Sequence, residues 1–297
     1  MATTTTAMIT NLQEKVIGPA RLTLKDDVLA IKSSFKVVTG RPGMDDTYNS
    51  PKLPGVTAFG LSEDVDMATE ALVDSNVAIS ATEVGVAVRV TNKMLRTISR
   101  DEFLRNVGKA MGSAINVKVE QDLATLIDGF SGTVGLDGAS GAIAQLQNAL
   151  GRLRNATEPL NSEMMRQVSA VVLPYLWNDL SLQFYPSGSG EAHSPNTAPP
   201  PSVGEKALRS YMPDGTYFGT PIKVSSNLVT SSGNGRSGVF HRDSGCMYDF
   251  MPVDMETDDS DKSMRSVELV MVTDYGYAEI LDGHGLEWDH DNSAPTS

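Results

Sequence analysis

The sequence holds one cysteine, Cys246, and four histidines in 297 residues. A lone thiol excludes an internal disulfide and a cysteine-rich zinc site, and it fits synthesis in a reducing, cytoplasmic compartment. No stretch approaches the roughly 18 consecutive apolar residues of a membrane span. The opening Met1-Ala2-Thr3-Thr4-Thr5-Thr6 has neither the basic nor the apolar region of a secretory leader. There is no Gly-x-x-x-x-Gly-Lys-Ser/Thr phosphate loop, no Gly-x-Ser-x-Gly elbow and no His-Glu-x-x-His. His193 falls in a Pro/Gly/Ser-rich loop and His290 in a polar tail, where a fixed general base is not expected. His241 alternates within a strand and reads as a surface or core residue. Cys246 has no histidine at a recognisable spacing and reads as a buried, inert thiol. No catalytic residue, cofactor or metal is therefore expected. The remaining enzymatic reading is a site of Asp, Glu and Arg without a short signature.

One acidic run invites comparison with a calcium loop, from Asp254 through Glu256, Asp258 and Asp259 to Asp261. Its sixth position is Asp259 where a glycine is needed, and its twelfth is Arg265 where a bidentate Glu is needed. A solvated acidic turn is expected instead. Asp289-His290-Asp291 lies too near the end to be expected as a rigid metal site.

A hydrophobic content of 40% is enough for a sizeable core. The net charge of −13 argues against a protein whose main task is gripping nucleic acid. Charge is also segregated. Lys15, Arg21, Lys25, Lys32, Lys36, Arg41 and Lys52 lie within the first 60 residues, whereas residues 61–88 carry Glu63, Asp64, Asp66, Glu70, Asp74 and Glu83 with no Lys or Arg. Segregation of this kind orients neighbouring copies better than it stabilises one monomer.

Along the chain, residues 1–49 read as an arm with a short helix over Leu24–Ile31 and little compact structure, so that residues 1–24 are expected to be dispensable for folding. Residues 50–80 read as a thin two-stranded excursion, outward through Val56, Phe59 and Leu61 and back through Val77 and Ile79. Such a hairpin is marginal in water alone and needs a partner surface. The valines at 84, 86, 88 and 90 alternate strictly and predict a strand. Ser99 and Glu102 then form a capping-box pattern. Phe103, Val107, Met111, Ile115, Val119, Leu123, Ile127 and Phe130 predict one helix of about 28 residues, about 42 Å long. A second helix is expected over Ala139–Ala156, a buried strand over Ser169–Pro174 and a helix from Tyr175. Residues 186–204 read as a loop. Further strands are expected at 219–228, 238–242 and 246–250, with extended segments at 266–274 and 275–281.

The order of arm, excursion, alternating strand and long helix resembles the major capsid proteins of tailed bacteriophages, with their α+β, Hong Kong 97-type fold. The resemblance is carried by Ala81-Thr82-Glu83-Val84-Gly85-Val86-Ala87-Val88-Arg89-Val90-Thr91-Asn92-Lys93-Met94-Leu95 followed by Asp101–Phe130. Phe218–Leu228 and Thr273–Ala278 are similar too. It implies an N-terminal arm over 1–49 and an extended loop over 50–80 laid on a neighbour. It further implies a peripheral domain over 81–132 and 265–297, with a spine helix at 101–130, and an axial domain over 133–264. Hexamers and pentamers would close into an icosahedral shell, so localisation in the virion is implied. The implied partners are the chain itself, then portal, scaffold or decoration proteins, and packaged DNA without sequence-specific binding; no membrane is implied. An encapsulin-like compartment shares the fold and stays open as the alternative. Some members link their loop to a neighbour through a lysine; Lys52 is the one lysine between residues 37 and 92 and reads here as a surface charge. Too little sequence precedes the loop for a built-in scaffolding segment, so a separate scaffold is expected. Candidate assembly residues are Lys52, Glu63, Asp64, Asp66, Glu70, Asp74, Arg21, Lys25 and Lys32.

Overall fold

The computed structural model describes residues 15–23, 29–40, 45–52, 60, 75–91, 93, 100–156, 164–184, 216, 217, 219–258 and 266–293. Helix α1 covers residues 15–23. Strands β1 (Lys36–Thr39), β2 (Thr47–Lys52), β3 (Ser75–Ser80) and β4 (Thr82–Thr91) precede the long helix α2 (Arg100–Asp128). Then come β5 (Gly132–Gly135), α3 (Ile143–Arg154), β6 (Val168–Val172), α4 (Pro174–Phe184), β7 (Thr216–Tyr217) and β8 (Thr220–Val224). The chain closes with β9 (Thr230–Ser231), β10 (Asn234–His241), β11 (Gly245–Asp258), β12 (Ser266–Glu279) and β13 (Gly285–Asp291).

Two sheets carry the fold. One is four-stranded, in the order β1-β11-β12-β4; the other is seven-stranded, β5-β13-β10-β6-β8-β7 with β9 beside β10. Hairpin β2-β3 stands apart. In β4 the alternation works as the sequence predicts: Val84, Val86 and Val88 are half-buried and Val90 buried, with Glu83, Gly85, Ala87 and Arg89 exposed. β12 pairs with it from Ser266↔Thr91 to Tyr275↔Thr82 without a break. The β11–β12 ladder, by contrast, shifts register between Asp249 and Asp254. Pro252 falls in that stretch, and it has no N–H to give a ladder.

Helix α2 spans 29 residues, close to the predicted length. Leu104, Met111, Ile115, Val119, Leu123 and Ile127 are buried along it. They pack with Val90, Leu269 and Met271 of the four-stranded sheet and with Val171 and Phe240 of the seven-stranded one. The opposite face of the larger sheet buries Val168, Ala170, Val172, Val239 and Trp288 against Leu146, Leu150 and Leu153 of α3 and Leu176 and Leu180 of α4. This explains the uninterrupted apolar run of β6. Val171 faces α2 while Val168, Ala170 and Val172 face α3 and α4, so neither side of the strand meets water.

The N-terminal segment departs from expectation. Ala30 and Ile31 form a turn ahead of a short 3₁₀ helix at Lys32–Ser34, and the regular helix is α1 instead. Residues 24–28 lie outside the described residues. Val16, Ala20, Ile31 and Phe35 are all fully buried in the α2 core, and Phe35 stacks on Phe240 at 4.3 Å between ring centroids. Two glycines one turn apart on α2 permit this. A Cβ at Gly108 would sit 2.3 Å from the Val16 carbonyl oxygen, and one at Gly112 would sit 2.8 Å from that of Ala20. Only glycine lets the α1 backbone come this close. Residues 15–23 thus pack into the chain's own core through Val16 and Ala20, which argues against the expectation that residues 1–24 are dispensable for folding.

Other boundaries move for local reasons. Helix α3 starts at Ile143, not Ala139, because Gly138 takes φ +75° and Ala142 is extended. The Gln145 carboxamide then accepts from the Ala142 N–H and the Trp288 indole N–H. The hairpin pairs Thr47↔Ser80 through Lys52↔Ser75. Its outgoing strand therefore begins before the expected 56–61, which lies outside the described residues apart from Gly60, as do Ser99 and the loop 186–204. Ile79 is buried against Cys246 and Tyr248, and Tyr48 stacks on Tyr248, so the chain's own sheet supplies a surface for the hairpin base. The extended segments at 266–274 and 275–281 join in one strand, Ser266–Glu279, and Asp289–Asp291 of the expected tail complete β13. The sheets also cut across the expected segments: β11 pairs with β12 in the sheet that β4 ends, whereas β13 pairs with β10 and β5. Local periodicity carries no information on which distant strands pair.

The α1–α2 seam yields a paired test. Gly108→Ala should lower the melting temperature, by an amount corresponding to about 1–3 kcal/mol of overpacking, despite the better helix propensity of alanine. Gly151→Ala in α3, where a Cβ meets nothing within 4 Å, should raise it. Equal shifts in thermal melts would contradict the seam.

Candidate assembly interface

The expected assembly residues divide between described and undescribed parts of the chain. Lys25, Glu63, Asp64, Asp66, Glu70 and Asp74 lie outside the described residues. Arg21 and Lys32 border one cleft of about 290 Å³, shared with Asn116, Asp249 and Tyr275. Arg21, exposed at the end of α1, donates to the Val253 carbonyl at 3.2 Å. Lys32 pairs with Asp249 at 3.4 Å. Lys52 ends β2. Its charge pulls the Glu279 and Asp282 carboxyls downward, against the larger effect of burial on Glu279 and alongside the Ser131 hydrogen bonds on Asp282. The structure thus brings Arg21 and Lys32 together, with Lys52 elsewhere at the hairpin.

Glu120 fastens this region, a role that sequence reasoning did not assign. It is 2% exposed on the core side of α2. One carboxylate oxygen accepts from the N–H groups of Ile31 at 2.9 Å and Lys32 at 3.1 Å, and the other from the Ser225 hydroxyl at 3.1 Å. Burial raises its pKa; those three donors and the nearby Lys223 charge pull the other way. One side chain therefore ties the N-terminal segment, α2 and the end of β8 together. The position breaks an apolar face, between Val119 and Leu123, and that break was the available signal.

Arg236 on β10 is a second polar centre. It pairs with Asp289, with Glu287 at 3.1 Å, with Asp137 at 3.5 Å and with Asp128, at the end of α2, at 3.7 Å. Burial, then the neighbouring Asp289, pushes the Glu287 carboxyl up to about 7. Burial and then Asp282 do the same to Glu279, also to about 7.

His290 is not in a tail; it is fully buried on β13, 2.9 Å from the Ser237 hydroxyl. A serine and a histidine at this distance are the parts of a nucleophile and its base. Both are closed off from solvent, however, and the same Ser237 oxygen accepts from the Leu173 N–H. The pair holds β10 to β13. His241 is buried, takes the Asp243 N–H on Nδ1 and meets His284 edge-on at 6.0 Å. Burial lowers its pKa and raises that of the Cys246 thiol, which matches the inert reading of the cysteine. Residues 254–258 lie in β11 instead of an acidic turn. Among the described residues, no group of three or more His, Cys, Asp or Glu can hold a metal ion, and no helix is long and apolar enough to cross a membrane.

No protein-family model and no curated protein matches the chain. Solved structures do. A chain from Gordonia phage Cozz superposes with a TM-score of 0.63 at 15% identity, over 89% of this chain and 86% of that one. The acidic stable capsid structure of Helicobacter pylori bacteriophage KHP30 gives 0.62 at 9% identity, over 88% of each. The capsid of a native GTA particle gives 0.60 at 10% identity, over 89% and 90%. At such identities the likeness is one of fold. The chain has the Hong Kong 97-type fold of tailed-phage capsid proteins.

Two measurements follow from the polar centres. Glu120→Ala strands two backbone N–H groups and a hydroxyl in the core, and should cost about 3 kcal/mol in chemical unfolding; a loss under about 1 kcal/mol would contradict the tie. Glu279 and Glu287 keep their protons up to about pH 7 when folded, against an ordinary value of 4.5. Their contribution to stability is thus complete below about pH 4.5 and lost as pH rises through about 7. Glu287→Gln should reduce the fall in melting temperature over that interval, and an unchanged slope would count against this assignment.

Proposed function

We propose that this chain is the major capsid protein of a tailed bacteriophage, whose copies assemble into hexamers and pentamers of an icosahedral shell around the genome. The observation that carries the reading is fold likeness over nearly the whole length of both chains to structures described as capsids. A structural, non-catalytic role fits it. Location in the virion follows from it, as do synthesis in the host cytoplasm and contacts with portal, scaffold or decoration proteins. In an acidic container, packaged DNA would meet little phosphate-binding surface.

In this reading residues 1–49 are the arm and 50–80 the extended loop. Residues 81–132 with 265–297 form the peripheral domain around α2, and 133–264 the axial domain, with β11 lending its pairing to the peripheral sheet. The acidic segment carrying Glu63, Asp64, Asp66, Glu70 and Asp74 meets basic residues of a neighbour, with Arg21, Lys25, Lys32 and Lys52 as candidates. Charge segregation supports that match.

Electron microscopy of the purified protein tests the proposal: closed shells are expected, and a homogeneous monomer at high concentration would overturn it. Reversing Asp64, Asp66 and Glu70 to Lys should slow shell formation at low salt, where exposed charges are least screened. Light scattering with unchanged assembly kinetics would reject the charge match.

A further inference from the structure

The edge of the four-stranded sheet at β4 is built to be paired. Among the described residues β4 has one strand neighbour, β12, so no strand lies on its other side. Natural edges are blunted by proline, bulges, inward charges or short length. β4 has no proline, its ladder with β12 is unbroken, and it is long. An edge of this kind is a template for another strand.

Its side chains indicate which strand. The exposed face carries Glu83, Gly85, Ala87 and Arg89. Glu83 and Arg89 lie three residues either side of Val86. Glu83 has no ion pair among the described residues, and it sits opposite Asp274 in the ladder with β12, a like-charge juxtaposition that costs stability. Arg89 sits opposite Glu268, 3.6 Å away. The edge is therefore acidic at one end, basic at the other, and small in the middle.

We propose that β4 pairs antiparallel with β4 of a second copy, about a two-fold axis through Val86. Arg89 of each copy then faces Glu83 of the other, twice. Gly85 faces Ala87 on the same side, and Val84 faces Val88 on the other. Directly opposed residues of antiparallel strands have Cβ atoms about 4.5–5.5 Å apart, within reach of a charge pair. The second copy's Arg89 relieves the Glu83–Asp274 repulsion. The contact is isologous, the same patch on both partners. It rests on the reading of the chain as a self-assembling protein and names one of its symmetric contacts.

Reciprocal charge changes test it. Glu83→Arg leaves two Arg–Arg contacts and Arg89→Glu two Glu–Glu contacts. Each variant alone, folded by circular dichroism, should self-associate roughly tenfold more weakly in sedimentation. Mixed in equal amounts, the two variants set the introduced arginine of one against the introduced glutamate of the other. The native Arg89 of the first then meets the native Glu83 of the second, and association should recover. Singles that associate like the wild type, or a mixture no better than either single, overturn the contact. Val86→Cys provides a test that leaves the charges in place. Oxidation should give a disulfide dimer absent from the wild type, whose Cys246 is fully buried; a monomer would overturn the contact. Closed shells from Glu83→Arg alone would remove this contact and leave the shell reading standing. A wild type that forms no particle, while Val86→Cys still cross-links, would do the reverse.

Discussion

The constraint on which the other elements depend is the burial of α2 on more than one side. A helix exposing one face to water needs a single apolar stripe. Here Met111, Ile115, Val119, Leu123 and Ile127 must satisfy both sheets, while Gly108 and Gly112 receive the α1 backbone. Burying each such side chain is worth about 1.5–3 kcal/mol, so the rod and its surroundings hold one another in place. A sheet laid on it is fixed in angle, and hairpin β2-β3, which runs through Ala81 into β4, starts from a fixed base.

Polar groups supply the registration that apolar packing leaves loose. Glu120 fixes where the N-terminal segment crosses α2. Tyr275 on β12 donates to Asp122 on α2 at 2.6 Å, and burial and that carboxylate push the tyrosine pKa upward. Arg236 gathers the end of α2, the turn after β5 and strand β13 around one guanidinium. Each tie joins elements far apart in sequence, where apolar contact alone would permit sliding.

What was legible in the sequence was periodic. The valines of β4, the apolar ladder of α2 and the run of β6 each carry a repeat that only one kind of element satisfies. Lines of contact between distant segments carry none. The apolar repeat of α2 does not mark Gly108 and Gly112 as a seam, and their partner, residues 15–23, reads as part of an arm whose helix is expected at Leu24–Ile31. The end of β13 reads as the start of a polar tail after Trp288, because Asp289 and Asp291 flank His290 and mask its place in the alternation of Leu286, Trp288 and His290. Of the candidate interface, the segregated charge is legible in the sequence, whereas the cleft that Arg21 and Lys32 share is not. Glu120 was not assigned, since a carboxylate among apolar residues signals a partner without naming it.

Hydrogen–deuterium exchange on the folded subunit tests most directly the claim that the N-terminal segment and α2 form one unit. The Ile31 and Lys32 amides, held by Glu120, should exchange as slowly as those of Val119–Leu123 and open with them as the protein is destabilised. Exchange of Ile31 and Lys32 at the rate of an unstructured chain, with α2 still protected, would contradict the account.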